Sequence, residues 1–530
     1  MLTAKALSRY YQINDYFVKS YQWSRTKALI RRLSQAWSAS LTGGWFSRDW
    51  LGESRAYDLF SRLVAWIDSL LTRLMGTEKE RYTINYVGRV MLGLFAVLSL
   101  PFLPRDTAVL AFDAALLAGL VLYRSEYGLY AAVLILPFLP FKAAFVLSLF
   151  TLVSWFLQVR GGELPRLKFS PTWIPLLLYF LVMFYATVTS ISFWTSASEF
   201  LIPVTGLIFL FIMVNRLDTL EKLDDFLVVL ALAGLIVSSY AIYDYYYGYS
   251  ILELHKGWVD ADLNPELSNR AAAIFDNPNL LAHYFVLLTP LSLAGVFASP
   301  KWWRKVVFLL ATVTTTTCLM LTYSRGGWIG LAVGLVVFCL LQRPVLTVIT
   351  LGVGGLTQLP LMTAVMTRLL PASIMNRLVS ISSLKDSSNA FRIDTWKGAF
   401  ALIQDHWPTG VGLGRFAFNR VYATYLVANA TVPHSHSLFL ELMSEFGIIG
   451  TTLFLWLFLR LFRLGLKLRS AASGLIRHYN AGIMAALVGF LTHSTIDYFM
   501  WYYKLGVLIW LLVGVVLVLE RLNEDNPAKA

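Results

Sequence analysis

The chain has 530 residues, of which 57% are apolar, 15% aromatic and only 14% charged. Soluble domains carry about 25% charged residues, so most of this length cannot face water. A disordered chain, a coiled coil and an ordinary soluble enzyme are excluded. The formal charge of +13 follows a membrane-topology pattern, so no nucleic-acid partner is expected.

Residues 1–85 contain no signal-peptide core and carry 13 Lys/Arg against 7 Asp/Glu. Between Leu59 and Met75, apolar residues recur at helical spacing, with Asp58, Ser61, Arg62, Asp68 and Arg73 between them. This predicts an amphipathic helix lying on the membrane surface or packed on the membrane domain.

From Tyr86 onward apolar runs follow one another. About 20 helical residues cross a bilayer core. The predicted spans lie near 87–103, 107–123, 127–140, 142–158, 172–193, 198–214, 226–247, 279–298, 306–323, 327–341, 345–360, 436–459, 480–500 and 504–519. The fold class is therefore all-α and polytopic, with about 14 transmembrane helices and a large extracytoplasmic loop, 361–435. The third span ends in Leu136-Pro137-Phe138-Leu139-Pro140, which predicts a broken or re-entrant element. The 17 Trp and 26 Tyr suit interfacial belts.

The positive-inside rule places the basic N-terminus in the cytoplasm. Fourteen crossings then put every strongly basic short loop on that side: Arg160, Arg166 and Lys168, then Lys301, Arg304 and Lys305, then Arg460, Arg463, Lys467, Arg469 and Arg477. The opposite, external side receives 248–278, the Ser324-Arg325 junction and 361–435. The expected location is the cytoplasmic (inner) membrane, with membrane lipid as surroundings.

Three external segments carry polar residues worth weighing. In Asn269–Asn279, Asn277 or Asn279 fits a helix cap, and Arg270 fits either an anion contact or a headgroup anchor. In Thr322-Tyr323-Ser324-Arg325-Gly326-Gly327-Trp328, an arginine beside two glycines joins two apolar helices almost without a linker. A guanidinium there matches phosphate oxygens; simple snorkelling is the alternative. The third segment holds Arg392, the run Gly410-Val411-Gly412-Leu413-Gly414-Arg415, and Val432-Pro433-His434-Ser435-His436-Ser437. The glycine alternation lacks the strand and the Lys-Ser/Thr of a phosphate loop. A neutral imidazole at His434 or His436 can take a proton from a hydroxyl near neutral pH. His493 and Asp497, four apart in a predicted span, share a helix face and are candidates by being intramembrane, as are Asp113, Glu441 and Glu445. Cys318 and Cys339 both lie in apolar runs, and the seven His lack a zinc spacing, so no metal site is expected.

Taken in order, Asn277-Pro278-Asn279-Leu280-Leu281-Ala282, Leu321–Trp328, Ser387-Ser388-Asn389-Ala390-Phe391-Arg392, Gly410–Gly414 and the His-containing approach to Leu440–Gly450 resemble the O-antigen ligase/polymerase superfamily. The likeness runs from about 265 to 515, nearest the branch labelled putative bicarbonate transporters. It implies transfer of a glycan from a polyprenyl-diphosphate donor to a hydroxyl on a glycan, lipid or protein acceptor, with inversion and without metal or other cofactor. By position it implies that Arg325 and Arg392 bind the diphosphate, with Arg270 as a further anion contact, and that His436 activates the acceptor. The family commonly follows this His with Asn; here Ser437 stands there and His434 precedes, so either His is eligible. Asn279, His434, Arg415, His493 and Asp497 complete the candidate substrate-binding set. The competing readings are a solute transporter of the bicarbonate type, using His493, Asp497 or Asp113 at mid-membrane, and a scaffold for an envelope polysaccharide complex docked through residues 1–85.

Overall fold

A computed structural model describes residues 116–160, 170–248, 270–275, 277–342, 387–427, 432–470 and 473–525, with Asp58, Arg62 and Ala114. The proposed amphipathic helix (beyond Asp58 and Arg62), Asp113 and the predicted spans 87–103 and 345–360 lie outside these residues. Among the described residues there is no strand; residues 116–123 are helical, and thirteen further helices follow. They are α1 (Glu126–Ile135), α2 (Phe141–Arg160), α3 (Trp173–Val188), α4 (Phe193–Arg216), α5 (Leu220–Tyr247), α6 (Pro278–Ala298) and α7 (Trp302–Leu321). There follow α8 (Arg325–Gln342), α9 (Ser387–His406), α10 (Arg415–Tyr422), α11 (Leu438–Leu468), α12 (Gly474–His493) and α13 (Tyr503–Glu524). Eight are long and apolar enough to cross a membrane. The protein is an all-α polytopic membrane protein.

Helix ends gather at two rims. At one, Ser125 Oγ donates to Gln158 at 3.0 Å, Arg216 Nε donates to Glu126 at 2.7 Å, and Arg460 Nε donates to Thr172 at 3.2 Å. Arg304 bridges Asp224 and Asp225 there. We call this the charged rim. At the other, Ala271 N donates to the Leu321 carbonyl at 3.0 Å, Leu438 N to Ser494 at 2.8 Å, and Ser196 Oγ to Leu413 at 2.5 Å. The candidate residues lie at this site rim.

The broken third span is found. α1 has ten residues, about 15 Å of rise, which is half a bilayer core. Pro137 and Pro140 stop the helix from continuing. The chain still reaches from Glu126 at the charged rim to Leu139, whose carbonyl accepts Tyr503 Oη at the site rim, so alternation of later helices is kept.

Where lipid offers no hydrophobic drive, helices meet through small residues. α8 and α12 do so: a Cβ added at Gly330 would lie 2.7 Å from the Gly489 carbonyl oxygen, and one at Gly334 2.7 Å from that of Ala485. This close crossing sets Arg325, the first residue of α8, beside His493, the last of α12. α13 is the most enclosed helix, with Trp510 against Tyr179 and Phe180.

Two predicted spans need correction. The span expected over 480–500 ends at His493. The Ser494 carbonyl accepts the Leu438 amide instead of continuing the ladder, so Asp497 stands in a turn and shares no helix face with His493. The span expected over 436–459 runs on to Leu468 and breaks at Gly447 (φ 62°, ψ −162°), a conformation open to glycine. The segment 361–435, expected as a loop, contains α9 and α10.

Candidate functional site

The break at Gly447 organises the surrounding chain. It releases the carbonyls of Ser444 and Glu445, which accept Val411 N at 2.8 Å and Gly412 N at 3.2 Å. The Glu445 carboxylate takes Gly414 N at 3.0 Å. Gly410, Gly412 and Gly414 all have positive φ. The glycine alternation therefore belongs to chain threading: the Val411, Gly412 and Gly414 amides are used by α11, that of Gly410 by His406 and that of Leu413 by Ala186. Glu441 accepts Ser435 N at 2.6 Å, which pins the His-containing loop on the first turn of the same helix.

At the site rim a cavity of about 300 Å³ is lined by Arg270, Asn279, Ser324, Arg325, Asn389, Arg392, Trp396, His493 and Asp497, among others. Asn277 caps α6, accepting Asn279 N at 2.7 Å. That frees the Asn279 side chain to accept Arg270 at 3.0 Å, while Arg270 Nε donates to the Thr322 carbonyl at 2.7 Å. Arg325 is buried and donates to Asn389 Oδ1 at 3.1 Å; it does not snorkel to the surface. Arg392 comes from α9, one helical turn beyond Asn389. Three guanidiniums from three separate segments thus share one wall. The first turn of α8 adds the positive end of a helix dipole.

His436 adjoins this cavity without lining it. Its Nδ1 lies 3.4 Å from Asp497 Oδ1, and its carbonyl accepts Trp396 Nε1 at 3.4 Å; both partners line the cavity. Its ring meets Phe391 edge to face, centroids 5.8 Å apart. Its φ is 53°; Ala273 and Tyr323 are the other positive-φ non-glycine residues among those described, and Tyr323 lines the same cavity. Strained backbone of this kind clusters at functional sites. Burial tends to raise the Asp497 carboxyl, but the hydrogen bond and charge of His436, with Arg392 and His283, outweigh it and hold Asp497 well below the usual carboxylate range. Burial pushes His434 down to about 3, reinforced by His436, Arg415 and Arg392 against Asp497.

His434, His436 and Asp497 offer ligand atoms within 4.8 Å of one another, near enough to consider a metal. The donor set fits one poorly. His434 Nδ1 already accepts the His436 amide at 3.2 Å, which leaves the proton on Nε2, and a metal needs that lone pair.

Arg415 lies outside this cavity. It pairs with Glu199 at 3.4 Å and stacks over Trp501 at 4.0 Å. The sequence reading missed Trp396, Asn389 and the buried His283, whose ring stacks on His493 at 3.4 Å between centroids. A histidine inside an apolar span is a signal in itself and would have found the last of these.

Residues 286–455 match the family model described as O-Antigen ligase, so this segment is similar to that family. It runs from α6 into α11 and carries Arg325, Arg392, His434, Arg415 and His436; Arg270, Asn279, His493 and Asp497 lie outside it. The match supports an O-antigen-ligase-type membrane enzyme that processes glycans. No curated protein matches the chain.

Proposed function

We propose that the protein moves a glycan from a polyprenyl-diphosphate carrier to an acceptor hydroxyl, inverting the anomeric centre and using no metal. The observation that carries this reading is one rim cavity with Arg270, Arg325 and Arg392 in its wall and an imidazole–carboxylate pair at its edge. The donor diphosphate sits against the guanidiniums. The acceptor oxygen attacks the anomeric carbon, and the bond from that carbon to phosphate oxygen breaks. The leaving diphosphate gains charge, and fixed cations stabilise it more than the ground state.

With its Nδ1 proton directed at Asp497, His436 carries the lone pair on Nε2 and takes the acceptor proton there. Asp497 orients the ring and stabilises the imidazolium that forms. His434, buried, neutral and bonded to the His436 amide, positions the loop. α9 covers the cavity and limits water, which would otherwise hydrolyse the donor.

We place the site rim outside the cytoplasm. Lys301, Arg304, Lys305, Arg460, Arg463, Lys467, Arg469 and Arg477 cluster toward the opposite rim, which supports that orientation. A transporter reading fits less well, because the polar cavity lies at helix ends and not at mid-span.

The decisive test is the lipid fraction of a strain lacking the protein, analysed by mass. A lipid-diphosphate-linked glycan should accumulate, restored to normal by the wild type and not by His436→Ala. An unchanged lipid fraction with lost bicarbonate uptake would overturn the proposal.

A further inference from the structure

Behind the cavity lies a pair of groups that this chemistry does not use. His283 from α6 and His493 from α12 are each 1% exposed, with rings stacked 3.4 Å apart and 7° from parallel. His283 Nδ1 meets the Asn279 carbonyl at 2.9 Å, and His493 Nε2 meets Ser324 Oγ at 3.4 Å. His283 Nε2 and His493 Nδ1 are then left buried with no hydrogen-bond partner. Such groups are rare in native interiors and point to a function. His493 forms part of the cavity wall. The charges acting on the pair are Asp497, from the turn after α12, and Arg392, from α9; Arg270 and Arg325 complete the wall.

Two imidazolium ions cannot share a stack at van der Waals distance in a dry interior, and the cavity arginines oppose even one. A diphosphate diester brings two negative charges and no proton that titrates near neutrality. Its arrival offsets the positive charge that the arginines place beside the pair. Taking the cavity as the donor site, as proposed above, we infer that the stacked His283–His493 pair takes up one proton as the diphosphate enters, so that His493 is a further donor-binding group and donor affinity depends on pH. Ser324 Oγ, 3.3 Å from the Gly327 amide, is set to accept a proton-bearing Nε2. Binding coupled to proton uptake is favoured at low pH and weakens as pH rises.

The test is isothermal titration of the full-length protein in nanodiscs with a non-cleavable isoprenyl methylenediphosphonate sugar ester, in buffers of different ionisation enthalpy. The wild type should take up about one proton per ligand, with affinity falling by up to about tenfold per pH unit between roughly pH 6 and 8. His493→Gln should bind without uptake and with a flat pH profile, while His436→Ala retains uptake. Wild-type binding without uptake, or uptake that survives His493→Gln, would overturn the inference. Should His493→Gln not fold, His283→Gln and the wild-type proton count decide. Failure of the wild type to bind the ester at all removes the donor assignment itself, an outcome distinct from binding without a proton.

Discussion

The two rims of the helix bundle use arginine in opposite ways. At the charged rim, Arg216 is sunk against Glu126, and Arg304 against Asp224 and Asp225, with Tyr479 and Ser299 completing the Asp224 cluster. Cation and carboxylate cancel, and the cluster locks helix ends together. At the site rim, Arg270 and Arg325 are held by the oxygens of Asn279, Thr322 and Asn389. An amide oxygen orients a guanidinium without cancelling its charge. Among the described residues the acid in the cavity wall is Asp497, and it is turned to His436. At the charged rim buried carboxylates meet the arginines; at the site rim the guanidiniums gather in the wall of one cavity.

This contrast can be broken by mutation. The largest expected effect is on transfer. His436→Ala should lower the rate of labelled-glycan transfer in proteoliposomes by ~10²–10⁴-fold, and Arg325→Ala and Arg392→Ala should each abolish it while the protein still inserts. Full activity in all three variants would leave the site rim without a catalytic role. Next comes Arg304→Ala, which strands the buried Asp224 and should cost about 3–5 kcal/mol of stability. It is read as thermal unfolding in detergent, against an Arg392→Ala variant that keeps a near wild-type midpoint. Equal losses in the two variants would erase the difference between rims.

Asp497→Asn sharpens the picture. It keeps the shape but misorients the imidazole, so kcat should fall by about tenfold or more with donor KM little changed; a pure KM effect would make Asp497 a binding group instead. The smallest effect concerns acid. His434 titrates near 6.5 when unfolded and at about 3 in the fold, so the unfolded chain binds the extra proton in between. Its contribution is complete above about 6.5 and is lost as pH falls toward about 3. The thermal midpoint of His434→Gln should therefore drop less than that of the wild type over this range.

Much of the site was legible because its residues break the rules of their surroundings. Arg325 sits where two apolar spans meet without a linker, and His436 at the start of another span; each is costly unless used. The break after α1 was visible in Pro137 and Pro140. Arg415 shows the limit of such reading. It was a candidate substrate-binding residue, yet Glu199, more than two hundred residues away in sequence, pairs with it. His283 shows the same limit in part: an imidazole inside α6 stands out in the sequence, but only α12 shows that a second ring stacks on it.

Composition and periodicity alone determined that this chain lives in a bilayer as a helical bundle, because the cost of exposing apolar length and unpaired backbone leaves no other solution. They also singled out the arginines and histidines that a membrane does not tolerate without purpose. Which of these line one cavity and which lie against a carboxylate elsewhere was decided only in three dimensions. Charge pairing depends on distances between residues far apart in the chain, and those follow from how Gly330 and Gly489 let two helices touch and how Gly447 lets a third one break.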